Sequence, residues 1–267
     1  MSYFNTKGRK IPNKGDRVFS IISRNFYRLD QPKIDLDLIF SRSKKQNIVP
    51  ENYDVKEFKT EIDNLLKTIS NSNNYNNMLN GVYMPFLFKR SKVKADLGEE
   101  LVNTLLPKLK SSFLDCMPNS EFKAVIQSEY ELNEKISIDP NSRYQDFILA
   151  SEQSTVAGIY FPQALQEYDV SSQRAQMSNL PALDGRRVCL SGGMDICAAL
   201  IGTPDILINT KFYTPIPIMS AYVHQDSRMI CLLKAYGQNL EFWCMTQMLT
   251  NKTTQVSEQW AGGLTVF

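Results

Sequence analysis

Over the first 150 positions, apolar residues recur at helical spacing. Phe58, Ile62, Leu65, Leu66 and Ile69 form a stripe of period 3.6. Asp54, with Glu57 three residues on, is a helix-opening pair just ahead of it. The pattern predicts an amphipathic helix that ends in the polar loop 70–77. Asp96 and Glu99 repeat the opening signal before Leu97, Leu101, Leu105 and Leu109, and Pro107 should kink or split that helix near Leu106. Ile34, Leu36, Leu38, Ile39 and Phe40 predict a short helix closed off by Pro50. Asp16 caps a further predicted helix over about 17–29, with Val18, Phe19, Ile22 and Phe26 opposite a stripe of Arg17, Arg24 and Arg28. Ser120 opens another, with Phe122, Val125, Ile126 and Tyr130 inward, and residues 139–142 read as a turn.

Beyond residue 150 the chain becomes more apolar. One or two short helices are expected over 163–180, and a short strand at Val188-Cys189-Leu190. In 228–249, Met229, Leu233, Tyr236, Leu240 and Trp243 fit one helical stripe, although Gly237-Gln238-Asn239 could join two strands. The stripe favours a helix. The resulting expectation is a mainly α, helix-rich fold with minor β in the C-terminal half. Its parts are a flexible basic arm (1–16), a helical lobe (17–150) and an apolar lobe (151–267) whose tail, 264–267, locks adjacent subunits.

Composition changes this picture little. At 43% hydrophobic and 22% charged residues, the chain is an ordinary globular sequence, which excludes wholesale disorder. No apolar stretch is long enough to span a bilayer, and no apolar leader follows Met1. Five scattered cysteines fit free thiols, so the expected location is the cytoplasm or the inside of a virion.

Charge is more telling. The net charge is only +2, yet residues 1–45 hold 11 Lys+Arg against 4 Asp+Glu. Lys7, Arg9, Lys10 and Lys14 lie in the arm, and Arg17, Arg24 and Arg28 follow it. Lys89, Arg90, Lys92 and Lys94 form a second cluster after the aromatic run 82–88. Guanidinium forks suit phosphate oxygens, and aromatic rings beside cations can stack bases. These eleven residues are the candidate nucleic-acid contacts.

One motif suggests different chemistry. Cys189-Leu190-Ser191-Gly192-Gly193-Met194-Asp195 resembles the PP-loop of ATP pyrophosphatases, with a strand before it and a helix-capable run after it. The resemblance implies phosphate binding by Ser191, Gly192 and Gly193, and a polar or metal-linked role for Asp195. Ile196 stands where that family has Ser or Thr. His224 is the only histidine, which excludes multi-histidine metal sites. It could pair with Cys189 or Cys197 as a thiol dyad, but no C-x-x-C pair, G-x-S-x-G or P-loop occurs.

The sequence therefore favours a non-enzymatic, self-assembling, nucleocapsid- or coat-like protein. It would need no cofactor or metal and would bind RNA without reading sequence. The alternatives are a matrix-type protein on an anionic membrane and, behind it, a PP-loop-like nucleotide-binding enzyme.

Overall fold

Helices form where a capping side chain meets a one-sided apolar stripe. In the structure, a computed structural model that describes residues 2–19, 23–90, 96–126, 132–247, 249–250, 253–254 and 256–267, the capped starts at Asp54 and Asp96 match the sequence, and Asp35 caps a third. Asp35 and Asp54 accept hydrogen bonds from the N–H groups of Leu38 and Lys56, opening α1 (Leu36–Lys45) and α2 (Val55–Asn71). Phe58, Ile62, Leu65 and Ile69 of α2 are buried. Asp96 caps α3 (Leu97–Glu100), which passes through a π turn, Leu101–Leu105, into α4 (Leu106–Cys116). Pro107 has no N–H to continue the ladder, and the π turn just before it is the local form of the expected break.

The mainly α expectation is wrong: an eight-stranded mixed sheet organises the chain. Its strands are β1 (Met84–Phe88), β2 (Phe122–Val125), β4 (Val156–Gln166), β5 (Val188–Leu190), β6 (Ile216–Ile218), β8 (Met229–Tyr236), β9 (Asn239–Thr246) and β12 (Trp260–Val266). They run in the order β1-β4-β12-β6-β8-β9-β2, with β5 also against β12. Two small ladders stand apart, β3 (Ile136–Ile138) with β7 (Tyr222–His224), and β10 (Leu249–Thr250) with β11 (Thr253–Thr254). Helices α5 (Tyr144–Gln153), α6 (Val170–Asn179) and α7 (Gly193–Gly202) fill the second half.

Each misread segment has a physical reason. Strands β8 and β9 form a hairpin closed by Gly237, whose φ of +62° suits a tight turn. Met229, Cys231 and Leu233 face the main core, while Ile230 and Leu232 join a smaller cluster with Val170, Ile218 and Trp260. Because β8 is apolar on both faces, period 2 is erased and the helical stripe is accidental. All of β4 is buried, so it too lacks alternation, and it takes up the start of the expected 163–180 helices. Its Pro162 sits where the β4–β12 register shifts, at a bulge that spares it from donating. Phe122–Val125 pairs in parallel with β9 instead of forming a helix.

The basic N-terminal segment is also reshaped. No helix forms among the described residues of 17–29. Instead Val18 bridges Tyr168, and Tyr27 bridges Tyr213. Ile22 and Tyr130, expected on inward helix faces, lie outside the described residues. The arm is a docked strap, with Phe4 at 1% exposure and its ring against Tyr75. The apolar tail is part of the chain's own central sheet. Within its own sheet, β12 lies between β4 on one side and β5 and β6 on the other. One core runs from Phe4 to Val266, so the expected boundary near 150 cuts through a shared interior. Among the described residues, no helix is long and apolar enough to cross a membrane.

Candidate nucleic-acid interface

Of the eleven basic candidates, several are committed to the body. Arg9 pairs with buried Glu167 at 2.9 Å, and Arg17 with Asp169 at 3.3 Å. Lys10 is buried, donates to the Ile11 carbonyl at 2.7 Å and sits over the Tyr3 ring, and burial lowers its pKa. Lys89 donates to the Glu152 carbonyl at 2.7 Å, and Arg90 is locked between Glu100 and Glu152. Lys92 and Lys94 lie outside the described residues. Lys7, Lys14, Arg24 and Arg28 are exposed.

Residues 23–28 hold their place through two buried carboxylates. Ser23 Oγ lies within hydrogen-bond distance of Glu167 and of Glu258, and Asn25 N–H donates to Glu258 at 2.9 Å. Glu167 adopts a left-handed φ of +76°, which costs a non-glycine residue strain. It is pinned by its N–H to the Trp260 carbonyl at 2.7 Å and its carbonyl to Phe19 N–H at 3.0 Å. This clamp fixes where Tyr27 and Arg28 emerge.

There the basic strap meets an aromatic loop. The Arg28 guanidinium lies 4.4 Å from the Phe212 ring centroid, and the Tyr27 and Tyr213 rings are 5.7 Å apart. On one side, Lys7, Arg28, Gln31 and Tyr83 line an open groove of about 530 Å³. On the other lies a larger groove of about 740 Å³. Its floor is the outer face of the sheet, with Ile216, Ile230, Leu232 and Trp260. Its rim carries Tyr213, Tyr236, Lys211 and Lys234. Tyr213 and Tyr236 are 71% and 70% exposed, unusual for tyrosines without a partner to cover them. Lys234 sits 4.2 Å above the Trp243 ring and 3.5 Å from Glu241, which also accepts from Trp243 Nε1 at 2.7 Å. Side chains two residues apart on β8 and β9 share this outward face. Cations and rings are thus interspersed around two grooves that flank Tyr27 and Arg28.

Sequence reasoning reached Lys7 and Arg28 but missed Tyr27, Lys211, Phe212, Tyr213, Lys234 and Tyr236. A helix over 228–249 would have scattered the β8 and β9 members. The loop 209–214 gives no periodic signal at all.

The SGGMD residues do come together, between β5 and α7, in the expected strand–turn–helix setting. They are inside the core. A Cβ on Gly192 would meet the Tyr144 ring at 2.6 Å, and one on Gly193 the Tyr222 ring at 2.7 Å, so those rings occupy the space above the turn. All ten residues of α7 are buried. Asp195 accepts from Gly192 N–H at 2.9 Å, from Tyr144 Oη at 2.8 Å and from the Thr265 hydroxyl. Ser191 Oγ lies 2.9 Å from Thr265 Oγ1. The carboxylate is saturated by internal donors.

Cys189 and Cys197 are fully buried, and burial pushes both thiols up, away from the reactive thiolate. His224 Nδ1 is engaged by Asp226 N–H at 2.9 Å. Among the described residues, no group of three His, Cys, Asp or Glu side chains could hold a metal ion.

Comparison with known protein families, with curated proteins and with solved structures finds no match to this chain.

Proposed function

We propose that the chain binds single-stranded nucleic acid, RNA above all, along the two grooves beside Tyr27 and Arg28. It would do so as a subunit of a self-assembling nucleocapsid- or coat-like structure, in the cytoplasm or within a virion. The observation that carries the reading is the set of cation–ring and ring–ring pairs around these grooves, Arg28 on Phe212, Tyr27 on Tyr213 and Lys234 on Trp243. Exposed rings offer stacking to any base, and neighbouring cations track the phosphates. Neither element reads sequence, which suits packaging.

The cation count supports the assembly half of the proposal. With Lys234 shared with Glu241, Lys7, Arg28 and Lys211 supply about three phosphate contacts, so the salt slope for a single strand is about −2. That is modest electrostatic binding for one copy. Firm retention of a long strand then depends on many copies along it.

Both tryptophans of the chain, Trp243 and Trp260, sit at this sheet face, so intrinsic fluorescence reports on the groove directly. Titration with oligouridylate should quench it saturably, and the affinity should fall with salt at the slope above. Replacing both Tyr213 and Tyr236 with alanine should weaken binding about 100-fold, from the loss of two stacking platforms worth roughly 1–3 kcal/mol each. Quenching by anionic vesicles but not by the oligomer would move the reading to a membrane surface. No response to either would overturn it.

A further inference from the structure

Strands β8 and β9 place two cysteines directly opposite each other. Cys231 and Cys244 are register partners, and both join the main core at 4% exposure. The remaining cysteines, Cys116, Cys189 and Cys197, sit on other elements. Opposed pairs in an antiparallel ladder alternate between hydrogen-bonded and non-hydrogen-bonded ones, and the phase here is fixed. Gln247 N–H donates to the Arg228 carbonyl at 2.7 Å, one step beyond the Met229–Thr246 pair. Arg228 and Gln247 are therefore a bonded pair, and counting inward makes Cys231 and Cys244 a non-bonded one. Such pairs bring their Cα atoms to about 4.5 Å and their side chains closest together. That spacing lies within the range a disulfide spans, about 4.4–6.8 Å. The thiols also meet. A hydrogen bond between them raises the Cys231 pKa and lowers that of Cys244, where Lys135 adds to the pull.

We propose that Cys231 and Cys244 are a redox modification site, at which a small-molecule disulfide such as oxidised glutathione closes a bond across the hairpin. The structure holds both as free thiols, which is the reduced form. One cysteine thiolate attacks the small disulfide and expels a glutathione thiolate, leaving a mixed disulfide. The second cysteine gives up its proton, attacks the protein sulfur of that mixed disulfide and expels the other glutathione. Two protein thiols are oxidised, and one oxidised glutathione becomes two reduced ones. The thiols are nearly covered, so the reagent reaches them when the hairpin opens, during folding or by local unfolding, and the product is kept when the sheet recloses. Where reducing thiols dominate the pair stays open, and where they do not it closes. The bond ties the strand that carries Lys234 and Tyr236 to its partner, and so fixes one wall of the larger groove. The site stands on strand register and does not depend on what the groove binds.

The test refolds wild type from urea, slowly through its unfolding transition, in either a glutathione redox buffer or dithiothreitol. Each sample is then alkylated in denaturant and digested with trypsin. Cleavage after Arg228, Lys234 and Lys252 should release residues 229–234 linked to 235–252 from the glutathione sample, and later reduction should separate them. The bond closes a loop of about 14 residues, so the melting temperature should rise by roughly 5–10 °C over that of the dithiothreitol sample. In Cys231→Ser, neither the linked peptides nor a difference between the two buffers should appear. The wild-type peptide map needs no variant, so a poorly folding substitution does not blunt it. Recovery of Cys231 and Cys244 as alkylated thiols from the glutathione sample, or linked only to other cysteines or to glutathione, would overturn the site.

Discussion

Alanine at Asp195 should lower the stability of the fold by about 4 kcal/mol, seen as a drop in the urea midpoint at unchanged slope. The carboxyl group is completely buried and holds three donors, Gly192 N–H, Tyr144 Oη and the Thr265 hydroxyl. Removing it leaves all three facing a void, and each unmet donor costs roughly 1–3 kcal/mol before any relaxation. Asparagine keeps one acceptor oxygen in place and should cost only about 1 kcal/mol. The same residue predicts a pH dependence. Burial raises the Asp195 pKa above its ordinary 3.8, outweighing the hydrogen bonds from Thr265, Gly192, Tyr144 and Ser191 that pull it down. The folded state thus holds the proton more tightly than the unfolded state does. The stability linked to that proton is present in full below the ordinary value and is lost as pH rises through the raised one. An amide at this position carries no such proton, so Asp195→Asn should flatten this part of the profile. If wild type gains stability relative to that variant as pH rises across the window, the assignment of Asp195 is wrong.

Alanine at Arg90 should cost a similar amount, about 3–5 kcal/mol, with little change in oligonucleotide affinity per folded molecule. Arg90 bridges Glu100 Oε2 at 2.8 Å and Glu152 Oε1 at 2.6 Å, and it is 7% exposed. Burial pushes the Glu100 carboxyl up, and Arg90 is the main charge that holds it down. Without the guanidinium, the carboxylate at the end of α3 is left without its principal partner. Arg90→Ala in a Glu100→Gln background should therefore cost clearly less than in wild type, and a double-mutant cycle measures that difference. A single variant that keeps full stability but loses the oligomer would return Arg90 to the interface.

These two residues show where sequence reasoning stops. Charge counting places Arg90 in a basic cluster, because Glu100 and Glu152 are separated from it by 10 and 62 positions. It places Arg9 in a free arm because Glu167 is 158 residues away. Local signals fared better. Asp54 and Asp96 cap the helices that follow them, since capping needs only residues two or three positions apart. The short strand before Ser191 and the helix after it were also legible. The central strands were not. With β4 buried along its whole length and β8 apolar on both faces, neither shows the alternation that marks a half-buried strand. The candidate interface was hidden for the same reason. Lys234 and Tyr236 stand on β8, and Lys211, Phe212 and Tyr213 on an irregular loop beside Tyr27 and Arg28, whose segment is held by carboxylates far off in sequence.

The position of β12 has a bearing on how the chain reaches this state. Without residues 260–266, β1 and β4 form one ribbon, and β6, β8, β9 and β2 another, and among the described residues no ladder joins the two. Every intermediate on the folding route that lacks this segment carries two open apolar strand edges at once, along β4 and along β6. Pairings so distant in sequence are entropically slow to form, and open edges invite pairing with other chains. The insertion of a single seven-residue segment is thus the pairing that unites the two ribbons and covers both edges.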